Sequence, residues 1–401
     1  MAENVWIIGA SMTRFGRYPD KDSIDLASEA ALAALADAQA TIFDMQTLAV
    51  GSLVEASAML GQRLQKQIGQ TGIPCYNVAN ACATGATAIR TALLAIKAGE
   101  ADMALAVGVE QMGKMGLLGP AGQARAKPTG YTPAGRYGSV MPVEGILGTQ
   151  LMPGVFAQAG MEYASVNDGV GFEQFAKVAE KNHAHSSLNP LAQYQKVFSL
   201  EEVMGADMVA YPNTLLMCCP TGDGAAAVVL CSDAKLKGLD PDVRRRAVKI
   251  SASVLTSDPF VDSDTAQPDV STLTKAAAAQ AYEVSGVGPG DLDLVELHDC
   301  FATAELIHYE NLRLCEPGGA GDFIDRRAPW RDGSTPVNVS GGLISKGHPI
   351  GATGVANLYE VATHLRGEAG DRQIEGATVG LTHVIGLGSA CAVHVLERAA
   401  S

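Results

Sequence analysis

Short β-branched apolar runs alternate along the chain with longer Ala-rich stretches in which apolar positions recur every three to four residues, the spacing of strands followed by amphipathic helices. Val5–Gly9 reads as the first strand, and a helix runs from Ser23 to Gln39, with Asp22 or Ser23 able to cap its first amides. Thr47–Val54, Tyr76–Asn80 and Met103–Val109 read as further strands. Ala83–Ala98, closed by Gly99, reads as a helix apolar enough to predict burial on all sides. This alternation is α/β grammar.

The second half runs through the same order. Strands are expected at Val248–Leu255, Leu292–Leu297, Val337–Val339, Thr378–Ile385 and Ala390–Leu396, and helices at Ser271–Val284, Ala302–Leu314 and Gly351–Leu365. The wording repeats too: Asn77-Val78 precedes Ala83-Thr84-Gly85-Ala86 and a helix, and Asn338-Val339 precedes Gly351-Ala352-Thr353-Gly354 and a helix. Two copies of one unit are implied, with loops after corresponding strands facing one cleft. From Gly113 to Gly222 the pattern breaks, with a Gly/Pro-rich stretch at 116–142, and the first half resumes at the apolar run from Asp223. The expected division is a first half of residues 1–112 and 223–245, an inserted region of 113–222, and a second half of 246–401. A loop this long in a compact protein is usually functional.

Composition narrows the function. With 401 residues, 47% of them hydrophobic, the chain can bury a large core, and 18% charged residues without a long polar tract argue against disorder. A formal net charge of −14 disfavours nucleic acid or an anionic membrane as the main partner. No signal peptide, transmembrane stretch or Ser-Lys-Leu ending is evident, so a cytoplasmic location is expected. The 8 cysteines lack any regular spacing, which predicts reduced thiols rather than disulfides or a zinc site.

Three constellations carry candidate chemistry. Cys82, in Asn80-Ala81-Cys82-Ala83-Thr84-Gly85, stands between a strand and a helix, where the helix N-terminus can lower a thiol pKa. His348, in Ser345-Lys346-Gly347-His348-Pro349, stands at the symmetry-related helix entrance, where imidazole can donate to an oxyanion or relay a proton. Glu296-Leu297-His298-Asp299-Cys300-Phe301 ends a strand and sets His298 and Cys300 two residues apart, on one face of an extended segment. Metal binding by that pair lacks a third and fourth ligand nearby in sequence. His183 and His185 are the other histidine pair, readable as ligands or as a solvated helix face.

Together with Cys218-Cys219-Pro220-Thr221-Gly222-Asp223-Gly224 and Gly341-Gly342-Leu343-Ile344, these motifs resemble the thiolase superfamily along almost the whole chain, specifically its sterol-carrier-protein type, without the sterol-carrier domain. The resemblance implies a five-layer αβαβα fold and an acyltransferase of lipid metabolism, as in fatty-acid β-oxidation. Such an enzyme would cleave 3-oxoacyl-CoA with CoA or run the reverse condensation. It makes Cys82 the acyl-accepting nucleophile, His348 its activator, His298 an organiser of the thioester oxyanion site, and Cys300 the acid/base thiol. The N–H groups of Cys82 and Gly386 would form the other oxyanion hole. Cys219 and Phe301 would lie against substrate, Cys219 where many thiolases have serine. Ordinary thiolases keep a second cysteine near the C-terminus, where this chain has Val384, and Cys391 reads as a buried structural thiol. No cofactor or metal is implied beyond CoA as substrate, and a homodimer or dimer of dimers is expected. Arg125, Lys127 and Arg136 read either as contacts to CoA phosphates or as a solvated basic loop. The rival readings are a ketosynthase-like condensing enzyme and a thiolase-like lyase subunit acting with a partner protein.

Overall fold

The computed structural model describes residues 4–112, 134–135, 138–139, 151–259, 270–387 and 389–399, so Arg125, Lys127 and Arg136 lie outside the described residues. Nine strands form one mixed sheet: β1 (Val5–Met12), β2 (Thr47–Gly51), β3 (Cys75–Val78), β4 (Met103–Gln111), β5 (Asp223–Ser232), β6 (Val248–Thr256), β7 (Leu294–Glu296), β8 (Val379–Gly386) and β9 (Ala390–Arg398). Their spatial order is β7-β8-β9-β6-β1-β5-β4-β2-β3.

That order contains the repeat read from sequence. In the first half β1, β5 and β4 pair antiparallel in succession, and β4, β2 and β3 pair parallel. In the second half β6, β9 and β8 pair antiparallel, β7 joins β8 in parallel, and Val337 bridges Val295 in parallel. Strand for strand the two patterns match. They join edge to edge where Trp6 faces Lys249 and Ile7 faces Val248. The strand expected at Val337–Val339 shrinks to its single bridge because Asn338 adopts a φ of 53°, outside extended geometry.

The helices that set the layers are α1 (Ser23–Asp37), α2 (Thr84–Lys97), α3 (Leu151–Val166), α4 (Phe172–Ser186), α5 (Val270–Ser285), α6 (Ala302–Asn311) and α7 (Ile350–Arg366). Asp22 caps α1 by accepting from the amides of Ile24 and Asp25. Three apolar seams follow. Leu26 and Leu35 of α1 pack on Leu48 and Leu105 of the first-half sheet. Ile89 and Leu93 of α2 meet Val355 and Leu358 of α7 between Ala106 of one half-sheet and Leu294 of the other. Leu273 of α5 and Leu306 of α6 cover Val295 and Val393 from outside. Helix, sheet, helix, sheet, helix is the expected five-layer fold.

Burial on all sides belongs to α7 rather than α2. Helix α7 is buried from Ile350 to Leu365 apart from half-buried Tyr359, whereas α2, beside the β3 edge, leaves Leu94 48% exposed. In the region where the sequence pattern breaks, α3 and α4 dock on α6, and Phe156 and Phe175 join the outer seam.

Candidate active site

The first functional turn forms because β3 ends at Val78 and α2 begins at Thr84, leaving five residues to reverse direction. Ala81 takes a φ of 46°, a left-handed conformation that small side chains tolerate best. The Thr84 hydroxyl accepts from the Asn80 amide at 2.8 Å and donates to the Ala81 carbonyl at 2.5 Å, locking the bend. Cys82 sits on this elbow, 6% exposed.

Backbone contact between the copies of the unit brings the second turn beside the first. A Cβ on Gly85 would stand 2.7 Å from the Gly351 carbonyl, and one on Gly354 would stand 2.4 Å from the Ala86 amide nitrogen. Both starts of α2 and α7 therefore need glycine, which accounts for the repeated small-residue wording. Cys82 Sγ and one ring nitrogen each of His298 and His348 consequently lie within 4.8 Å of one another.

Hydrogen bonding orients His348. Thr353 Oγ1 lies 3.0 Å from the Pro349 carbonyl and 2.7 Å from His348 Nδ1; a hydroxyl that donates to the carbonyl accepts from Nδ1–H. His348 Nε2 is left as a lone pair, buried and without a hydrogen-bond partner. Burial, helped by the Lys346 charge, pushes this imidazole down to about 3. His298 stands edge-on to it, ring centroids 5.2 Å apart and 81° between planes, with its own Nδ1 buried and unpartnered. Burial and three neighbouring histidines hold His298 neutral as well.

The thiol departs from the sequence expectation. Burial first and Glu110 second push Cys82 up to about 12, so the helix N-terminus does not yield a resting thiolate. Glu110, at the end of β4, accepts from Ser52 Oγ, Leu53 N and Val54 N at 2.9, 2.8 and 3.3 Å, and from Gly351 N of α7 at 3.2 Å. It ties the loop after β2 to the start of α7. Sequence reasoning missed it, although a carboxylate closing the apolar run Met103–Val109 is a signal.

His298 and Cys300 flank Asp299, which accepts from the amides of Leu343 and Ile344 at 2.7 and 3.2 Å and from Asn182 Nδ2 at 2.8 Å. The π-helical turn Gly342–Lys346, just before His348, is thereby fixed to the loop carrying His298. Asn182 also donates to Glu305, which pairs with Lys181 at 2.7 Å, both fully buried. Cys300 is buried, and its thiol is pushed well above the ordinary range by burial, then by Cys219 and Cys82. Cys219 is tied to Cys300 through its amide, 3.0 Å from the Cys300 carbonyl. Phe301 stacks on Phe156 of α3 at 5.3 Å.

Val384 packs with Cys82, Met112, Ile350 and Ala390, so the position that holds a cysteine in ordinary thiolases does face this site. Gly386 lies against the elbow, where a Cβ would come 2.5 Å from the Asn80 carbonyl. Cys391 is buried in the outer seam and pushed up to about 12 by that burial.

His183 and His185 are not on a solvated face; both are buried and structural. His183 contacts the Leu216 carbonyl and Ser345 Oγ, each at 3.0 Å. His185 contacts the Asn338 carbonyl at 3.0 Å and accepts from the Arg331 amide at 3.0 Å. Helix α4 turns them inward because it docks on the loops leading to His348.

Comparison with known proteins agrees with this geometry. The family "Thiolase, N-terminal domain" matches residues 5–196 and "Thiolase C-terminal domain-like" matches 261–398. Sterol carrier protein 2 of Bos taurus is 40% identical over 400 residues, covering 98% of this chain and 72% of that protein. An acetyl-CoA acetyltransferase of Methanothermobacter thermautotrophicus is 36% identical over 400 residues, 98% of this chain and 100% of its own. Among solved structures, the Ltp2-ChsH2(DUF35) aldolase superposes with a TM-score of 0.80 at 22% identity, covering 98% of each chain. Human mitochondrial 3-ketoacyl-CoA thiolase in complex with CoA gives 0.71 at 18%, covering 100% of each, and at such identities the likeness is one of fold. Both family domains match, and relatives at 36–40% identity run nearly the full length, so the chain belongs to the thiolase family, as an acyltransferase of its sterol-carrier-protein type.

Proposed function

We propose that the enzyme cleaves 3-oxoacyl-CoA with CoA, or runs the reverse Claisen condensation, through an acyl thioester on Cys82. The observation that carries this reading is the convergence of the Cys82 thiol with an imidazole whose free Nε2 lone pair is set by Thr353.

Thiol and imidazole are both neutral at rest, so His348 Nε2 takes the Cys82 proton as the sulfur attacks the C3 carbonyl. The amides of Cys82 and Gly386 hold the oxyanion that forms at C3. As the C2–C3 bond breaks, the electron pair moves into an acetyl-CoA enolate whose oxygen is held by His298 and His348. Cys300, neutral because it is buried, gives the enolate carbon its proton. Free CoA then displaces the acyl group from Cys82. A cleft of about 370 Å³ beside Cys219, bordered by Tyr194, Lys196, Phe198 and Ile344, is a route for the pantetheine arm. The residues 113–222 between the halves would cover the CoA, consistent with the division of the chain at 112, 222 and 245. Pairing through the β3 edge, where Tyr76 is 49% exposed beside Leu94 of α2, would give a homodimer, and light scattering decides it.

A second reading is a carbon–carbon lyase working with a partner; the Ltp2-ChsH2(DUF35) aldolase shares the fold, which by itself favours neither activity. The joint presence of Cys82, Cys300 and His348 weighs against it. Rapid quenching with a 3-oxoacyl-CoA followed by peptide mass spectrometry tests the choice: an acyl adduct on Cys82, released by CoA, is expected. An adduct only on another cysteine, or cleavage indifferent to CoA, overturns the proposal.

A further inference from the structure

The three groups that the acyl-transfer reading uses as nucleophile, base and oxyanion donor are also, by element, a set of metal-ligating atoms in one buried pocket. Cys82 comes from the first half, His298 and His348 from two loops of the second, and their ligand atoms gather within 4.8 Å of one another. His298 Nδ1 and His348 Nε2 are buried with no hydrogen-bond partner, a costly state for polar nitrogens. We propose that, when no acyl group is present, Cys82 Sγ and the two imidazoles bind one borderline-soft divalent cation of the zinc class, and that this cation blocks acyl transfer. The blocking half of the proposal rests on the acyl-thioester reading above; the binding half does not.

The donor chemistry selects the ion. One thiolate and two imidazoles with no carboxylate suit Zn²⁺ or Co²⁺ and not Mg²⁺ or Ca²⁺, which require oxygen ligands. In a tetrahedral zinc site, bonds of about 2.3 Å to sulfur and about 2.0–2.1 Å to nitrogen put donors about 3.3–3.6 Å apart. The three side chains, whose donors lie within 4.8 Å of one another, therefore need to close by at most about 1.2–1.5 Å. His348 is already oriented, because Thr353 holds Nδ1–H at 2.7 Å and turns Nε2 into the pocket, the outer-shell bond that metal-binding histidines usually have. The Cys82 thiol releases its proton to solvent as the sulfur–metal bond forms, and no oxidation state changes. An S-acyl group removes the sulfur as a ligand, so acyl donor and cation exclude each other.

Cobalt titration of the full chain tests this. With Co²⁺ added to metal-free protein, a thiolate-to-cobalt charge-transfer band and tetrahedral d–d bands should reach their limit at one equivalent. Zn²⁺ should erase them and prior acylation with acetyl-CoA should prevent them. Cys82→Ala should abolish the charge-transfer band, and His298→Ala and His348→Ala should each weaken binding by more than the roughly 10–100-fold typical of losing an outer-shell partner. Thr353→Val, which keeps the shape, should weaken it by about that outer-shell amount. Cys315→Ser, remote from the pocket, should change nothing, and an unchanged melting profile of each metal-free variant excludes misfolding. Cobalt bound without a thiolate band, a band that survives Cys82→Ala, or affinity indifferent to both histidines overturns the site. If the bands behave as expected but no 3-oxoacyl-CoA is cleaved, the acyl-transfer reading fails and the site stands. If cleavage proceeds unaffected by Zn²⁺ at full occupancy, the blocking role fails.

Discussion

The loops at corresponding strand ends in the two halves start from one plan and end with different equipment. After β3 the first half places Cys82 on a turn built from alanine, threonine and glycine, and after β2 it places only Ser52-Leu53-Val54, whose polar groups are taken up by Glu110. After Val337–Val339 the second half places His348, and after β7 it places His298 and Cys300, braced by Asp299, Asn182 and Glu305. The scaffold was kept and the loops were divided: in the proposed mechanism one half supplies the nucleophile, and the other handles protons and oxyanions. Histidine follows the same split, since all 8 lie from His183 onward and none lies in the first 112 residues. A nucleophile needs only a bend and room, whereas groups that hold and move protons need partners that fix tautomer and orientation.

The sharpest way to break this comparison is to remove the acid/base thiol and leave the nucleophile. Cys300→Ala should let Cys82 accept an acetyl group from acetyl-CoA while carbon–carbon cleavage and formation fall by roughly 10²–10⁴, the usual worth of a placed acid or base. Single-turnover acylation and steady-state cleavage measure the two separately. Near-normal cleavage of 3-oxoacyl-CoA by a folded variant would return the proton to water or a histidine. The junction between the copies is the next target. Gly354→Ala puts a methyl group 2.4 Å from the Ala86 amide nitrogen, and the two helix starts must part to admit it. Stability should drop by about 1–3 kcal/mol, the usual cost of overpacking, with kcat falling more than KM rises because Cys82 and His348 separate. Melting and steady-state kinetics check both.

Acid should distinguish the halves. Burial lowers every histidine below its ordinary value of 6.5, with His308, His348 and His394 pushed to about 3 and His364 to about 4. Between those values and 6.5 the unfolded chain binds protons that the folded chain refuses. The stability they contribute is thus complete above 6.5 and lost as pH falls toward 3, at about 1.4 kcal/mol per histidine per pH unit. Because no histidine lies in the first 112 residues, hydrogen exchange at pH 5 should open α5, α6 and β7 before α1 and β2. Simultaneous loss of protection in both halves would mean that the shared α2/α7 layer couples them fully.

Much of this was legible in the sequence, and what was not has a physical reason. Strand and helix periods are local, so the repeat, the two elbows and the Cys82–His348 pairing could be read from short windows. Side-chain surroundings are not local. Helix α4 has polar residues enough to suggest a solvated face, yet Lys181 and Asn182 serve Glu305 and Asp299, over a hundred residues away, and turn His183 and His185 inward with them. The thiol state of Cys82 misled for the same reason. A helix N-terminus is visible in sequence, but burial and the field of Glu110 are properties of the assembled core.

The smallest expected effect separates two cysteines that sequence distance alone would rank the other way. Cys391 is nearer along the chain to Val384, the position where ordinary thiolases keep their second catalytic thiol, than Cys300 is. Yet on β9 it faces Ile385 rather than Val384, and its side chain joins the outer seam with Val393 and Leu381 instead of the cluster around Cys82. Burial in that seam, which pushes its thiol up to about 12, sets it apart from the groups around Cys82. Cys391→Ala removes one buried sulfur from a packed seam and should cost about 1 kcal/mol in stability. Cleavage of 3-oxoacyl-CoA should stay within about twofold, since about 0.4 kcal/mol on the barrier already makes a factor of two. If cleavage instead falls as far as in Cys300→Ala while Cys82 is still acylated, the acid/base thiol is on β9 and the division of labour between the loops must be redrawn.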